Sequence, residues 1–421
     1  LVADREGGAL TFPTIRGHRA FQALHYREFR LICGAQVFGN IGMWMDELSR
    51  GWLIYQLTDS VIQLGLVRGI QFIPTLLISP LAGTAADRYS RKTLLLVAQT
   101  IQGLSFAVLA LLIFSGHVEP WHVYVTAVLA GMMQAIQQPA RSAIVTDTVP
   151  LELLTNAIGF TALIFNGSRL LGPALAGALI AMVDTGGAFA VQAACMFVAV
   201  VWTVQLAPLP LSDGRAMKAR RESFAQSIVE GWKFSWHNQT VRAGILCTTT
   251  VCTLMFPFTT LLPVFARDLL NVGAEGQGLL LAAMGFGALI SAAAIALAGH
   301  RLTRGRVMID ASIVYGLTLV VFAVSPWYSL SIVAMAVAGL CHVHANALVH
   351  TIVQSSSPPE YRGRTMALFN MSQMLSTAGS MLIGVLAFVL GSRGAVAVMG
   401  IAGALGIVVL VWLMPRARQI K

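Results

Sequence analysis

The sequence predicts an all-α membrane protein, with twelve transmembrane helices in two six-helix pseudo-repeat bundles. Three observations lead to that class. Hydrophobic residues fill 56% of the 421 positions and charged residues only 11%, whereas ordinary soluble domains carry about 25% charged residues. The apolar runs are continuous and recur along the chain, each close to the roughly 20 residues a helix needs to cross a bilayer; a β-barrel would alternate instead. Matching junctions also recur about half a chain apart. "LAGTAADRYSRK" (81–92) falls where "LAGHRLTRGR" (297–306) falls in the second half, and "IVTDTVPLE" (144–152) where "IVQSSSPPE" (352–360) does. Parallel repeats of this kind place a substrate cavity on the pseudo-twofold axis between the halves.

Taken in order, residues 1–28 form a polar, basic tail ending in "HRAFQALHYREFR", an amphipathic stretch suited to the inner membrane face. No cleavable signal peptide is evident there. The first bundle covers 29–207, with spans at about 31–57, 62–85, 93–114, 121–138 (continuing polar to Asp147), 154–183 and 188–207. A Pro-rich, then basic segment, 208–240, is the linker, and its "ESFAQSIVEGWKFSW" has the pattern of an amphipathic helix. The second bundle covers 241–414, with spans at about 241–266, 277–299, 307–325, 329–353, 365–390 and 394–414, leaving 415–421 as a tail.

Net charge is +10, yet its distribution argues against a nucleic-acid partner. With the N-terminus placed in the cytoplasm, all but five of the 28 Lys and Arg fall on cytoplasmic segments. Arg267 and Arg393 fall in outer loops, and Arg50, Arg68 and Arg169 within spans. The positive-inside rule accounts for this asymmetry and predicts two cytoplasmic termini. The five cysteines (Cys33, Cys195, Cys247, Cys252, Cys341) are odd in number and lie in or beside apolar runs, so no disulfide framework is expected.

Ser79 to Leu95, "SPLAGTAADRYSRKTLL", joins two apolar runs by a short charged turn. Gly83, Asp87, Arg88, Arg91 and Lys92 stand in the spacing G-x-x-x-D-R-x-x-R-K. An ordinary positive loop would explain the charge, but the joint spacing resembles the signature between spans 2 and 3 of the major facilitator superfamily. Within that superfamily, "FRLICGAQVFGNIGMWM…GWLIYQLTDS" and "PARSAIVTDTVPLELLTNAIG…SRLLGPALAG" resemble bacterial enterobactin exporters and macrolide efflux proteins. The resemblance implies the major facilitator fold and alternating access, with two bundles rocking about a central site. It implies that Asp87 pairs with nearby cations and faces the N-terminus of span 11, helping to hold the outward-facing state. Ser90 stands where the signature prefers Gly, and the second-half copy has no acid. No Arg stands in mid-span 4, since Arg141 lies near its cytoplasmic end; this puts the usual proton relay in doubt. Gly172, Pro173 and Gly177 resemble the span-5 Gly-Pro motif of drug antiporters, although a packing bend alone is the better account of the three.

Charges within the spans are costly unless paired or wet, so they are the first functional candidates. Asp46 and Arg50 are four residues apart and share a helix face, while Glu47 points about 100° away. Arg68 reaches a similar depth from span 2. Either Asp46 or Glu47 carries a coupling proton, or the group is a structural ion-pair cluster at the outer gate. Arg169, midway along span 5, binds an anionic substrate group, balances a span-1 acid, or is a fixed structural partner. His342 and His344 lie about 200° apart on one helix and cannot share a metal; they suit proton coupling or hydrogen bonding in the cavity. Gln36, Asn40, Asn166, Asn370 and Gln373 are polar candidates for the cavity wall, with helix–helix contact as the competing role.

No Walker loop, H-E-x-x-H or nucleophile elbow is present. The chain is therefore expected to be neither an enzyme nor an ATP-driven pump, and to need no cofactor or metal. The expected function is a monomeric exporter of drugs or siderophore-like small molecules, by proton antiport. Uptake or lipid flipping by the same fold is the alternative, and a transport-inactive scaffold or sensor is a third reading.

Overall fold

The computed structural model describes residues 22–207, 224–298, 303–415 and 418; within these, the side chains of 76, 79–88, 224–229, 296, 298 and 359 are not described. Among the described residues every regular element is a helix. The first six are α1 (Arg27–Thr58), α2 (Val61–Arg88), α3 (Arg91–Phe114), α4 (Pro120–Asp147), α5 (Leu154–Val183) and α6 (Thr185–Val204). The linker helix α7 (Phe224–His237) follows, then α8 (Gln239–Thr250), which continues in distorted form to Leu269. The remainder are α9 (Gly273–Ala298), α10 (Arg304–Val324), α11 (Tyr328–Ser356), α12 (Pro359–Met374) and α13 (Ser376–Leu413). For this numbering the three-residue segment Leu262–Val264 is counted within the distorted stretch of α8.

Local chemistry sets many of these ends. The Ser90 hydroxyl accepts from the Thr93 amide at the start of α3, and Asp184 accepts from the Thr185 amide at the start of α6. Asn238 accepts from the Thr240 and Val241 amides to open α8. Pro120 opens α4 beside a reciprocal cap formed by Glu119 and His122. Gly391 sits at φ 73°, inside what is otherwise one helical run, and divides α13 into two pieces at a kink; a side chain there would be strained.

Eight stretches among the described residues are long and apolar enough to cross a membrane: 91–114, 151–183, 185–204, 239–269, 273–295, 304–324, 328–356 and 360–413. Helices α1 and α4 are long enough, at 32 and 28 residues, but are interrupted by polar side chains. Asp46, Glu47 and Arg50 interrupt α1, and Gln134, Gln137 and Arg141 interrupt α4.

Helix α1 packs on α5 and α6, α2 on α4, and α3 on α4 and α6. In the second half, α9 packs on α11, and α10 on α11 and α13. The most extensive contacts between the halves are α5 with α9 and α2 with α13. At Gly177 of α5 an added Cβ would lie 2.5 Å from the Ala274 carbonyl oxygen, and at Gly278 of α9 one would lie 2.7 Å from that of Pro173. The α5–α9 backbones therefore touch, and Gly172, Pro173 and Gly177 lie at packing contacts. At Gly65 of α2 an added Cβ would lie 2.6 Å from the Ser380 carbonyl oxygen of α13.

Hydrogen bonds define the two ends of the molecule. At the end nearest the chain termini, Lys92 Nζ donates to the Val204 and Leu206 carbonyls at 2.7 and 2.5 Å. There the Ala207 amide donates to Glu28, and Asn238 to the Ser356 carbonyl. Linker helix α7 docks on α12 at this terminal end: Arg364 donates to Glu230 at 2.5 Å, and the Phe234 and Tyr361 rings stack with centroids 4.6 Å apart. At the opposite, distal end, Thr185 donates to Gln56, and Arg393 caps the last carbonyls of α10, Ala323 and Ser325, at 3.2 and 3.1 Å. Leu163, Phe388 and Trp412 are among many large apolar side chains left exposed, as a lipid-facing surface requires.

Candidate functional site

The two adjacent acids of α1 go to different places. Asp46 is 4% exposed and Arg50 0%. Their ion pair closes at 2.9 Å, with a second contact from Arg50 Nε at 3.1 Å. Arg50 also donates to the Val123 carbonyl and, at 2.8 Å, to the Thr126 hydroxyl of α4. This pair faces α4 in the interior of the first six helices. Glu47, one residue on and turned away, accepts from Arg68 of α2 at 2.7 Å, and Arg68 also donates to the Glu47 backbone carbonyl. Glu47 and Arg68 line a narrow cleft between the halves with Gly51, Thr259, Thr260 and Gln277.

The far wall of that cleft is the distorted part of α8. Val251–Met255 is π-helical, Phe256–Leu261 is 3₁₀ and Phe265–Leu269 is again π-helical. Pro257 and Pro263 cause this, because each lacks an amide hydrogen and clashes with the carbonyl four residues earlier. Phe256 in this stretch stacks on His342 of α11, with centroids 4.8 Å apart, and Tyr315 of α10 meets the same imidazole edge-on at 5.8 Å.

Arg169 of α5 is half-buried, with its guanidinium 5.3 Å from the centre of the Trp44 ring. It lies within electrostatic reach of Glu47, Tyr315 and His342. Trp44, Arg169, Tyr315 and His342 each stand near the middle of their helices.

The remaining candidates scatter. His344 pairs with the Ser291 hydroxyl at 2.5 Å, on a different face from His342. Asn346 donates to Gln373, Asn166 donates to the Ala162 carbonyl of its own helix, and Asn370 is exposed. Gln36 is 1% exposed and buried without a hydrogen-bond partner among the described residues. Asn40 accepts from Arg141 at 2.7 Å, and Arg141 also donates to Gln137, which donates to Gln102. This buried polar chain through Arg141 went unrecognised in the sequence, where Arg141 reads as an end-of-helix charge.

At the start of α3, Arg91 pairs with Asp147 of α4 and Lys92 holds the end of α6. Gly83, Asp87 and Arg88 fall on the last turns of α2, and their side chains lie outside the described residues. All five cysteines are free thiols.

A second group missed by sequence reasoning lies at the distal end. Arg267 pairs with Asp59, at the end of α1, and with Asp268 at 2.8 Å. Tyr55 donates to Asp268, and Arg267 lies over the Tyr55 ring at 4.2 Å. Asp59 and Arg267 read as unrelated loop charges in the sequence, because nothing local signals a pairing 208 residues apart.

Comparison with known proteins agrees with this architecture. The chain is 24% identical to the staphyloferrin A transporter of Staphylococcus aureus, over 86% of this chain and 90% of that one. It is 24% identical to the enterobactin exporter EntS of Citrobacter koseri, over 90% and 88%. Its fold superposes on the nucleoside transporter NupG with a TM-score of 0.74 at 13% identity, covering 92% and 99% of the two chains. Residues 18–420 match the family described as transmembrane secretion effector. The chain belongs to that family of the major facilitator superfamily, whose members are membrane transporters and not enzymes.

Proposed function

We infer that the protein is a monomeric secondary active transporter that exports small molecules, drug-like or siderophore-like, across the bacterial inner membrane by alternating access and proton antiport. In this reading the helices make twelve spans in two six-helix bundles, 29–207 and 241–414, joined by 208–240, with both termini cytoplasmic and the distal end outward. The observation that carries it is the Glu47–Arg68 pair, which lines the cleft between the halves beneath the Arg267–Asp59 bridge. A titratable pair at membrane depth suits coupling, and a cross-half bridge above it suits a gate.

Geometry favours Glu47 over Asp46 as the proton carrier. Asp46 is sealed against Arg50 and α4, so protonating it would strand a buried guanidinium. Glu47 is partly exposed to the cleft, and its protonation frees only Arg68. The test is proteoliposomes holding a pH-sensitive dye, challenged with candidate drugs and siderophores. Substrate-dependent proton flux in the wild type, lost in Glu47→Gln, is the expected result. Flux retained in Glu47→Gln refutes this carrier, and substrate movement with no proton flux at all removes antiport.

A further inference from the structure

Arg169 is a cation at mid-membrane without an acid of its own. Among the described residues no hydrogen bond or ion pair holds its guanidinium, and the nearby Glu47 is already engaged twice by Arg68. Asp46 and Arg50 neutralise each other nearby. The group is thus left with one excess positive charge in a medium where unpaired charge is expensive.

The groups around Arg169 also carry polar atoms left unpaired. Tyr315 is 0% exposed and His342 7%, and among the described residues neither the Tyr315 hydroxyl nor His342 Nδ1 has a hydrogen-bond partner. The indole N–H of Trp44, which can only donate, is likewise buried and unpaired. Buried polar groups in folded proteins are nearly always satisfied. Four groups from α1, α5, α10 and α11, all near mid-helix and most unsatisfied, mark a place prepared for a missing acceptor. A neutral or cationic ligand would leave the Arg169 charge uncompensated; an oxyanion satisfies the charge and the donors together.

We propose that Arg169, with Tyr315, His342 and Trp44, forms a carboxylate-binding subsite at mid-helix depth where α1, α5, α10 and α11 come together, so that the transported molecules include acidic ones. This rests on the transporter reading of the protein, and the experiment separates the two.

The full chain, in nanodiscs, is titrated with citrate and with its uncharged trimethyl ester at matched pH and ionic strength, following the thermal unfolding midpoint. Citrate raises the midpoint saturably and the ester does not. Arg169→Gln weakens citrate binding by at least about tenfold, as loss of a charge-assisted hydrogen bond predicts. Tyr315→Phe weakens it a few-fold, and Arg169→Lys, which keeps the charge, retains more binding than Arg169→Gln. Each variant is first checked for a single monodisperse peak, and Arg169→Lys carries the test if Arg169→Gln does not fold. Equal response to citrate and ester, or citrate binding untouched by Arg169→Gln, overturns the subsite. In parallel liposome assays, movement of neutral or cationic compounds without any response to citrate sinks the subsite alone. Citrate binding that depends on Arg169, with no compound moved, sinks the transporter reading and leaves the subsite standing.

Discussion

Asp46 and Glu47 are chemically near-identical neighbours, and the helix sends them to opposite environments. One turn of 100° separates a sealed ion pair from a cleft-lining one. The consequences of removing each charge should differ accordingly. Asp46→Asn leaves Arg50 buried with only the Val123 carbonyl and the Thr126 hydroxyl, a loss of about 3–5 kcal/mol for breaking a buried pair. Glu47→Gln should cost less than Asp46→Asn, because Glu47 is partly exposed to the cleft and Arg68 keeps its bond to the Glu47 backbone carbonyl. Thermal unfolding of the two variants in detergent measures this, and an Asp46→Asn protein as stable as the wild type contradicts the sealed-pair description. The Asp46–Arg50 pairing was legible in the sequence from its four-residue spacing. The partners on α4 were not, because which helix stands opposite α1 is a property of the assembled fold.

Helices are where the sequence was most readable. The expected 154–183 span coincides with α5, because Pro150 and Asp184 bracket an uninterrupted apolar run. Elsewhere most expected starts fall a few residues late, since caps such as Asn238 and the short turns lie outside the apolar stretch, while the expected 188–207 span runs past the end of α6 and the expected 365–390 span crosses the break at Leu375. What periodicity concealed was the irregular half of α8, whose Pro257 and Pro263 sit in a run apolar enough to pass as ordinary helix. Glycines at helix crossings were similarly ambiguous until their neighbours were known. Gly278→Val tests the α5–α9 crossing: the new side chain must push against the Pro173 carbonyl and Gly177, at a cost of about 1–3 kcal/mol for overpacking. Reduced substrate flux together with a lower thermal midpoint is expected. A variant with wild-type flux and midpoint would mean that the two helices separate freely at that point.

At the scale of the whole molecule, the bonds linking Tyr55, Asp59, Arg267 and Asp268 tie the end of α1 to the end of the distorted α8. Arg267→Gln removes the bridge to Asp59 and the contact with Tyr55. In a cysteine-free background carrying Thr260→Cys in the cleft, a membrane-impermeant maleimide added at the distal face should label Arg267→Gln several-fold faster than the Arg267 parent. Equal labelling rates would show that the bridge does not govern access. The sequence made the charged α2–α3 junction visible, but not this bridge. Its members are too far apart in the chain for any local pattern to relate them. The glycine crossings bear on a different question, the passage of molecules sideways. Where α5 meets α9, and where α2 meets α13, backbone lies on backbone with no room even for a methyl group at Gly177, Gly278 or Gly65. An acyl chain is wider than that space, so at those crossings neither flank offers a lateral portal to the surrounding leaflet. A lipid-like cargo taken up by this conformation would have to slip between helices elsewhere, or enter from the terminal end.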